Sequence, residues 1–170
     1  KLPFSERDMT NDPISLYGAS KKSNELIANS YSSLYGLNTT GLRYFTVYGP
    51  WGRPDMAYFT FTKKILAEEP IEVYNDGKMK RDFTFIDAII NGTKSAIEKN
   101  HKCEIFNLGN NKNEELMDLI KVIEDELSIE AIIDFLPMQS GDVIETYANI
   151  DKSIEKLNYN PKISINDGIP

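Results

Sequence analysis

The apolar positions along the chain change period several times, and each change marks a predicted element. Leu16, Ala19, Leu26, Ile27, Tyr31 and Leu34 recur near helical spacing, and Gly36 is a natural stop after them. Pro13 marks the loop that feeds this helix. The run NTTGLRYFTVYG is dense in β-branched and aromatic residues and closes on Gly49-Pro50, which predicts a strand ending in a loop. GPWGRPD then holds two glycines and two prolines in seven residues, too broken for helix or strand.

Residues 56–69 read as a helix up to Pro70, followed by the short strand IEVY and the turn NDGK, whose Asp76-Gly77 favours a tight reversal. RDFTF is a second short strand, residues 86–99 an amphipathic helix, and EIFNLG a strand closing on Gly109. NEELMDLIKVIEDEL predicts a helix and AIIDFLP another strand. DKSIEKLNY is a short helix halted by Pro161, and SINDGIP the first turn of one more. Strands alternating with helices predict an α/β architecture with parallel pairing.

Composition narrows the function classes. A chain of 170 residues, 41% hydrophobic and 26% charged, can bury one sizeable core. A net charge of -7 without a Lys/Arg cluster argues against a nucleic-acid partner. Cys103 is the single cysteine, which excludes an intrachain disulfide, and beside the single His101 it cannot build the usual zinc sites. No structural metal and a reducing, cytoplasmic setting are therefore expected. No apolar run approaches the roughly 20 residues a bilayer demands, so no membrane partner is expected either. The chain opens on Lys1 in the loop-like KLPFSERDMTNDP, without an initiator Met, and a fragment is the expectation.

Candidate chemistry begins at Tyr17 and Lys21. Residues four apart share a helix face, and a nearby ammonium favours a phenolate, lowering a tyrosine from about 10 toward the range of a general base. The spacing alone is common: Tyr74 and Lys78 repeat it across a predicted turn. On spacing alone, Tyr17 and Lys21 are two ordinary residues of a solvated face more often than a catalytic pair.

The surrounding order changes that balance. LYGASKKSNELIANSYSSLYGLNTTGLRYFTVYGPWGRPDM resembles the extended short-chain dehydrogenase/reductase family of sugar-nucleotide epimerases and dehydratases, where a Y-x-x-x-K helix precedes a strand of the type R-x-F-[NT]-V-Y-G-P. The resemblance continues through GKMKRDFTFIDAI, EIFNLGN and MQSGDVIETYANIDK, and FTVYGPWGRPDMA is most similar to the UDP-glucuronate 4-epimerases.

What the resemblance implies is an NAD-dependent enzyme with a UDP-sugar substrate. Tyr17 removes a proton from a sugar hydroxyl while hydride passes to the nicotinamide, Lys21 holds the nicotinamide ribose, and hydride returns to the other face of a 4-keto sugar. Tyr44 and Phe45 lie beside the nicotinamide, and Thr46 stands where many relatives carry an asparagine facing the sugar. A hydroxyl there suits a sugar carboxylate; a plain β-branched strand residue is the alternative. Arg53 sits in a shaped loop where a guanidinium can hold an anion, and Arg81 matches the arginine on the nucleotide diphosphate. Asp142 matches an aspartate near the nucleotide ribose, with Gln139 where some relatives have arginine, or else Asp142 caps its own loop. Tyr74 and Asn75 lie on the loop expected near the uridine.

The implied fold is the C-terminal part of a doubly wound NAD-binding Rossmann-type fold plus a smaller α/β substrate lobe. Residues 1–49 and 81–109 fall to the cofactor domain, and 50–80 and 110–170 to the substrate lobe. The complete protein is expected to be a homodimer. This chain has no G-x-G-x-x-G turn and no upstream catalytic Ser or Thr, so alone it is expected to be inactive. Ala88 replaces a second acidic residue common after FID in relatives. Other members of the frame remain open: UDP-glucose 4-epimerase, 4,6-dehydratase, UDP-glucuronate decarboxylase, or a non-catalytic sugar-nucleotide-binding domain.

Overall fold

The computed structural model describes residues 1–139 and 141–170. Helix α1 (Leu16–Tyr35) starts where the extended Ser15 accepts the Gly18 N–H on its hydroxyl at 3.1 Å. It ends where Gly36, at φ 67°, donates its N–H to the Ser32 carbonyl, a left-handed cap that glycine adopts without penalty.

The strand expected over NTTGLRYFTVYG is broken at Phe45 into β1 (Thr39–Tyr44) and β2 (Thr46–Tyr48). The break is a change of partner. β1 runs parallel to β6 (Cys103–Leu108), with Tyr44 opposite Leu108, and Phe45 donates its N–H to the Leu108 carbonyl. β2 runs parallel to β5 (Phe83–Phe85), with Thr46 opposite Phe83. RDFTF is split for the same reason, at Asp82: β4 (Lys80–Arg81) pairs antiparallel with β7 (Glu114–Glu115), while β5 pairs with β2.

β3 (Ile71–Tyr74) pairs parallel with β8 (Ile133–Leu136), not with the strand that follows it. NDGK is accordingly no hairpin turn. Asn75–Gly77 form a 3-10 turn with left-handed φ at Asn75, Asp76 and Gly77, which carries the chain out of the sheet. The helices α2 (Ala57–Leu66), α3 (Ile86–Lys99), α4 (Leu116–Leu127), α5 (Asp151–Leu157) and α6 (Ile165–Gly168) lie where periodicity puts them. α4 starts three residues later than NEELMDL suggests, because Glu114 and Glu115 are held in β7.

Apolar side chains collect in two buried clusters. One joins Phe61 and Ile65 of α2, Ile71 and Val73 of β3, and Leu119, Ile120 and Ile123 of α4. The other joins Ile89 and Ala96 of α3, Phe106 and Leu108 of β6, and Ala148, Ile150, Leu157 and Tyr159. Residues 148–159 thus pack with α3 and β6, so the stretch 110–170, expected in one lobe, is shared between the two clusters.

Asp82 lies at the junction and is fully buried. Its Oδ1 accepts the Asn110 N–H at 2.6 Å and the Thr84 hydroxyl at 2.9 Å. Its Oδ2 accepts the N–H groups of Ala148 at 3.0 Å and Asn111 at 3.1 Å, and its carbonyl accepts the Thr46 N–H. Gly109 makes room for this: a Cβ there would lie 2.6 Å from the Ala148 Cβ and 2.7 Å from Asp82 Oδ2. Burial raises the Asp82 carboxyl above its ordinary value, outweighing the donors that favour its charge.

An Asp82→Asn substitution keeps the shape and removes the buried charge, but turns an amide NH₂ toward N–H groups that need an acceptor. We expect it to destabilise the chain by roughly 1–3 kcal/mol in a urea titration; an unchanged or raised midpoint would count against this account of the junction.

Candidate active site

Helix α1 runs antiparallel to the strand it precedes, and two contacts fix its direction. Glu25 meets Arg43 near the carboxyl end of β1, while seven residues on, the Ser32 hydroxyl donates to the Lys102 carbonyl just before β6 begins. The amino end of α1 therefore projects past the carboxyl ends of β1 and β6, the side on which open α/β sheets hold ligands. Tyr17 and Lys21 occupy that end. The Lys21 ammonium lies 5.1 Å from the Tyr17 ring centroid, and Tyr17 is 71% exposed. The two side chains approach each other, and Tyr17 is exposed.

After β2, Gly49 and Trp51 adopt positive φ, at 131° and 63°. A bulky residue in the left-handed region is uncommon and marks a backbone shaped by its surroundings. Beyond this bend Arg53 holds Asp55 with two bonds, Nε to Oδ1 at 3.0 Å and Nη2 to Oδ2 at 2.6 Å, and both side chains are exposed. The Asp55 carboxylate raises the Arg53 guanidinium above its ordinary value, and Tyr17 is near enough to add to the effect.

Tyr44 points to α3, its hydroxyl 3.1 Å from the Thr93 hydroxyl. Phe45 packs against the Phe106–Leu108 cluster. Thr46, hydrogen-bonded through its backbone to Asp82, lies opposite Phe83 of β5, two residues after Arg81 in the chain.

Arg81 is largely buried. Its Nη1 donates to the Lys80 carbonyl at 2.9 Å and the Ile144 carbonyl at 3.2 Å, and its Nη2 lies 4.0 Å from Asp142 Oδ1. Burial pulls the guanidinium below its ordinary value, with Asp142 opposing. Asp142 in turn donates its backbone N–H to the Gln139 carbonyl at 3.3 Å. Tyr74 closes β3 opposite Leu136 of β8, so Asn75 and the segment leading to Gln139 both leave carboxyl ends of parallel strands. The Tyr74 hydroxyl donates to Glu72 at 3.3 Å, and the Asn75 amide sits 3.6 Å from the Met79 sulfur.

Two groupings result, Tyr17 with Lys21, and Arg81 with Asp142 and Gln139. Thr46 is joined by its backbone to Asp82, the residue that follows Arg81. The second Y-x-x-x-K forms no helical pair: its central residues are the left-handed 3-10 turn, and the Lys78 ammonium lies 3.6 Å from Asp76 instead.

The model of the NAD dependent epimerase/dehydratase family matches residues 2–109. The chain belongs to that family. An uncharacterised protein of Methanocaldococcus jannaschii is 54% identical over 169 residues, covering 99% of this chain and 52% of that protein. UDP-glucuronate 4-epimerase 4 of Arabidopsis thaliana is 43% identical, covering 99% of this chain and 43% of that protein. Among solved structures, the Bacillus cereus UDP-glucuronic acid 4-epimerase in complex with UDP-glucuronic acid and NAD aligns with a TM-score of 0.92 at 36% identity, over 98% of this chain and 54% of its own. This epimerase/dehydratase chain spans about half the length of the relatives it matches.

Sequence reasoning missed several residues around the candidate site. Asp82 appeared only as a letter inside RDFTF. Glu25 and Arg43 were unremarked, although Glu25 continues the Tyr17–Lys21 face at the next i+4 step and offered a signal. Glu114, opposite Arg81 in the β4–β7 ladder, falls within the stretch expected to be helix. Its Oε2 is buried without a hydrogen-bond partner among the described residues, and burial raises its carboxyl above the ordinary value.

That shift has a sign. A carboxyl whose folded value is raised favours the fold while it is protonated, and the benefit is lost as pH rises through that folded value. Glu114→Gln should therefore raise the melting temperature at pH 7, with the gain fading toward about pH 4, where Glu114 is itself neutral. Equal shifts at both pH values in calorimetry would rule this out.

Proposed function

We propose that these residues form the catalytic and substrate-binding half of an NAD-dependent nucleotide-sugar 4-epimerase, acting on UDP-glucuronate. The observation that carries the reading is the Lys21 ammonium on the Tyr17 ring, both exposed at the carboxyl end of a parallel strand pair.

The Tyr17–Lys21 pair fits the nicotinamide ribose end of NAD: an exposed phenol with an ammonium one helical turn further on offers a proton acceptor and a donor to ribose and sugar hydroxyls. NAD, when bound, supplies hydride acceptance and return. Tyr17 accepts the C4 hydroxyl proton of the sugar and gives it back after the 4-keto sugar has turned. Lys21 places positive charge where the phenol oxygen gains negative charge. Arg81, braced by carbonyls and held in its orientation, takes the diphosphate, with Asp142 and Gln139 toward the ribose and Tyr74 and Asn75 toward the base. Thr46 and Arg53 take the sugar carboxylate, Arg53 exchanging or sharing Asp55. Tyr44 and Phe45 wall the nicotinamide side.

In this reading residues 1–49 and 81–109 serve the cofactor domain, and most of the remainder the substrate lobe. The complete protein is a homodimer, and the uncovered Leu26, Ile27, Tyr31 and Leu34 of α1 support an interface there. The 170 residues alone do not turn over, because no glycine-rich phosphate turn lies among them.

The test is conversion of UDP-glucuronate to UDP-galacturonate by a polypeptide that joins this chain to a glycine-rich nucleotide-binding half. Tyr17→Phe should lower kcat by about 10²–10⁴-fold while UDP-glucuronate still binds. Binding without turnover in the unsubstituted protein would favour a non-catalytic sugar-nucleotide-binding role. Turnover by the isolated chain with added NAD would refute its inactivity.

A further inference from the structure

Helix α1 carries the Tyr–Lys pair, and among the described residues Glu25, Asn29 and Ser32 join it to the sheet by polar contacts. Among the described residues it buries one side chain, Ser32, near its far end, while its large apolar residues stay exposed. Its amino-terminal half buries none. Among the described residues, a salt link between Glu25 and Arg43 joins that half to the sheet. Arg43 donates from Nε to Glu25 Oε1 at 2.7 Å and from Nη2 to Oε2 at 3.0 Å. Both side chains are mostly shielded, at 17% and 24% exposure. Lys22 adds a third contact to Glu25 at 3.3 Å.

The geometry of this link is directional. Tyr17, Lys21 and Glu25 follow at i, i+4 and i+8, so they lie along one face of the helix. Glu25 is eight residues from Tyr17, about 12 Å along the axis at a rise of about 1.5 Å per residue. Arg43 is one residue before Tyr44, where β1 hands over to Phe45 and the Asp82 junction. A two-bonded carboxylate–guanidinium fork fixes orientation as well as distance, because its two bonds are coplanar. Ser32, Asn29 and Glu25 therefore hold α1 on the sheet, and Glu25, the nearest of them to the Tyr–Lys pair, sets the rotation of the Tyr17 face.

We propose that Glu25 and Arg43 are positioning residues, a fork that sets the height and rotation of Tyr17 and Lys21 over the carboxyl end of β1. The inference rests on the 4-epimerase reading for its activity readout alone.

The experiment compares Glu25→Gln, Arg43→Lys and their double variant in the epimerase that joins this chain to a nucleotide-binding half. Each single change removes the two-bonded geometry while keeping size or charge. We expect kcat per folded site to fall about 100-fold, the loss that misplacing a catalytic group by about 1 Å causes, with KM for UDP-glucuronate unchanged. The double variant should be no worse than the poorer single one, as for two halves of one interaction. In the 170-residue chain, hydrogen exchange at residues 16–21 should accelerate several-fold in each variant, more than at residues 28–35.

A fall in folded fraction with kcat per folded site unchanged would overturn the proposal and leave a stabilising role only. So would additive losses in the double variant, or uniform exchange along α1. If the unsubstituted protein does not epimerise UDP-glucuronate, the functional reading fails, while the exchange result still decides whether the fork positions the helix.

Discussion

Asp82 is the constraint on which the site depends. The carboxylate is fully out of water, and a buried carboxyl is tolerated only where donors replace its hydration. Here the donors come from Thr84, from Asn110 and Asn111 after β6, and from Ala148, and the Asp82 carbonyl takes the Thr46 N–H. One residue thus joins the strand that leaves the Tyr–Lys helix, the strand of Arg81, and the segments that follow β6 and precede α5. Because these links are short and desolvated, the distance between Thr46 and Arg81 is set by covalent geometry and hydrogen bonds, independent of surface contacts.

The two groupings of candidate residues are built differently. Arg81 has two of its nitrogens on backbone carbonyls or a carboxylate and is shielded from water, which gives a fixed donor array for an anion. Tyr17, Lys21 and Arg53 are exposed, on a helix end and a bent loop. In the proposed reading, the shielded Arg81 would anchor one end of a ligand while the exposed Tyr17 and Lys21 act on the other.

Much of the secondary structure was legible, because periodicity reports which faces meet an apolar environment. The helices 16–35, 86–99 and 116–127 and the strands 71–74, 103–108 and 133–136 follow from local pattern. The breaks at Phe45 and Asp82 were not legible. Nothing in YFT or RDF departs from strand chemistry; the strand stops there because its neighbour changes from β6 to β5, or from β7 to β2. The same blindness applied to Glu114, whose helix-like context gave way to pairing with Arg81, and to NDGK, whose reversal is a 3-10 exit from a parallel strand.

For the site, ordered motifs carried further than spacing. Tyr17–Lys21 and Tyr74–Lys78 are identical as spacing, and the chain itself determined the difference through Asp76-Gly77, residues that favour left-handed backbone over a helix. It also determined the residue types on offer: a phenol and an ammonium on one helical face, arginines fit for anions, and no glycine-rich turn. Tertiary structure alone decided that Arg81 meets Asp142 across 61 positions of chain, that Glu25 turns from a helix-surface residue into half of a shielded fork, and that Asp82 is a buried hub. The physical reason is that local pattern encodes burial along one element, whereas these partners come from elements far apart in sequence. Their energies exist only once water has been excluded between them.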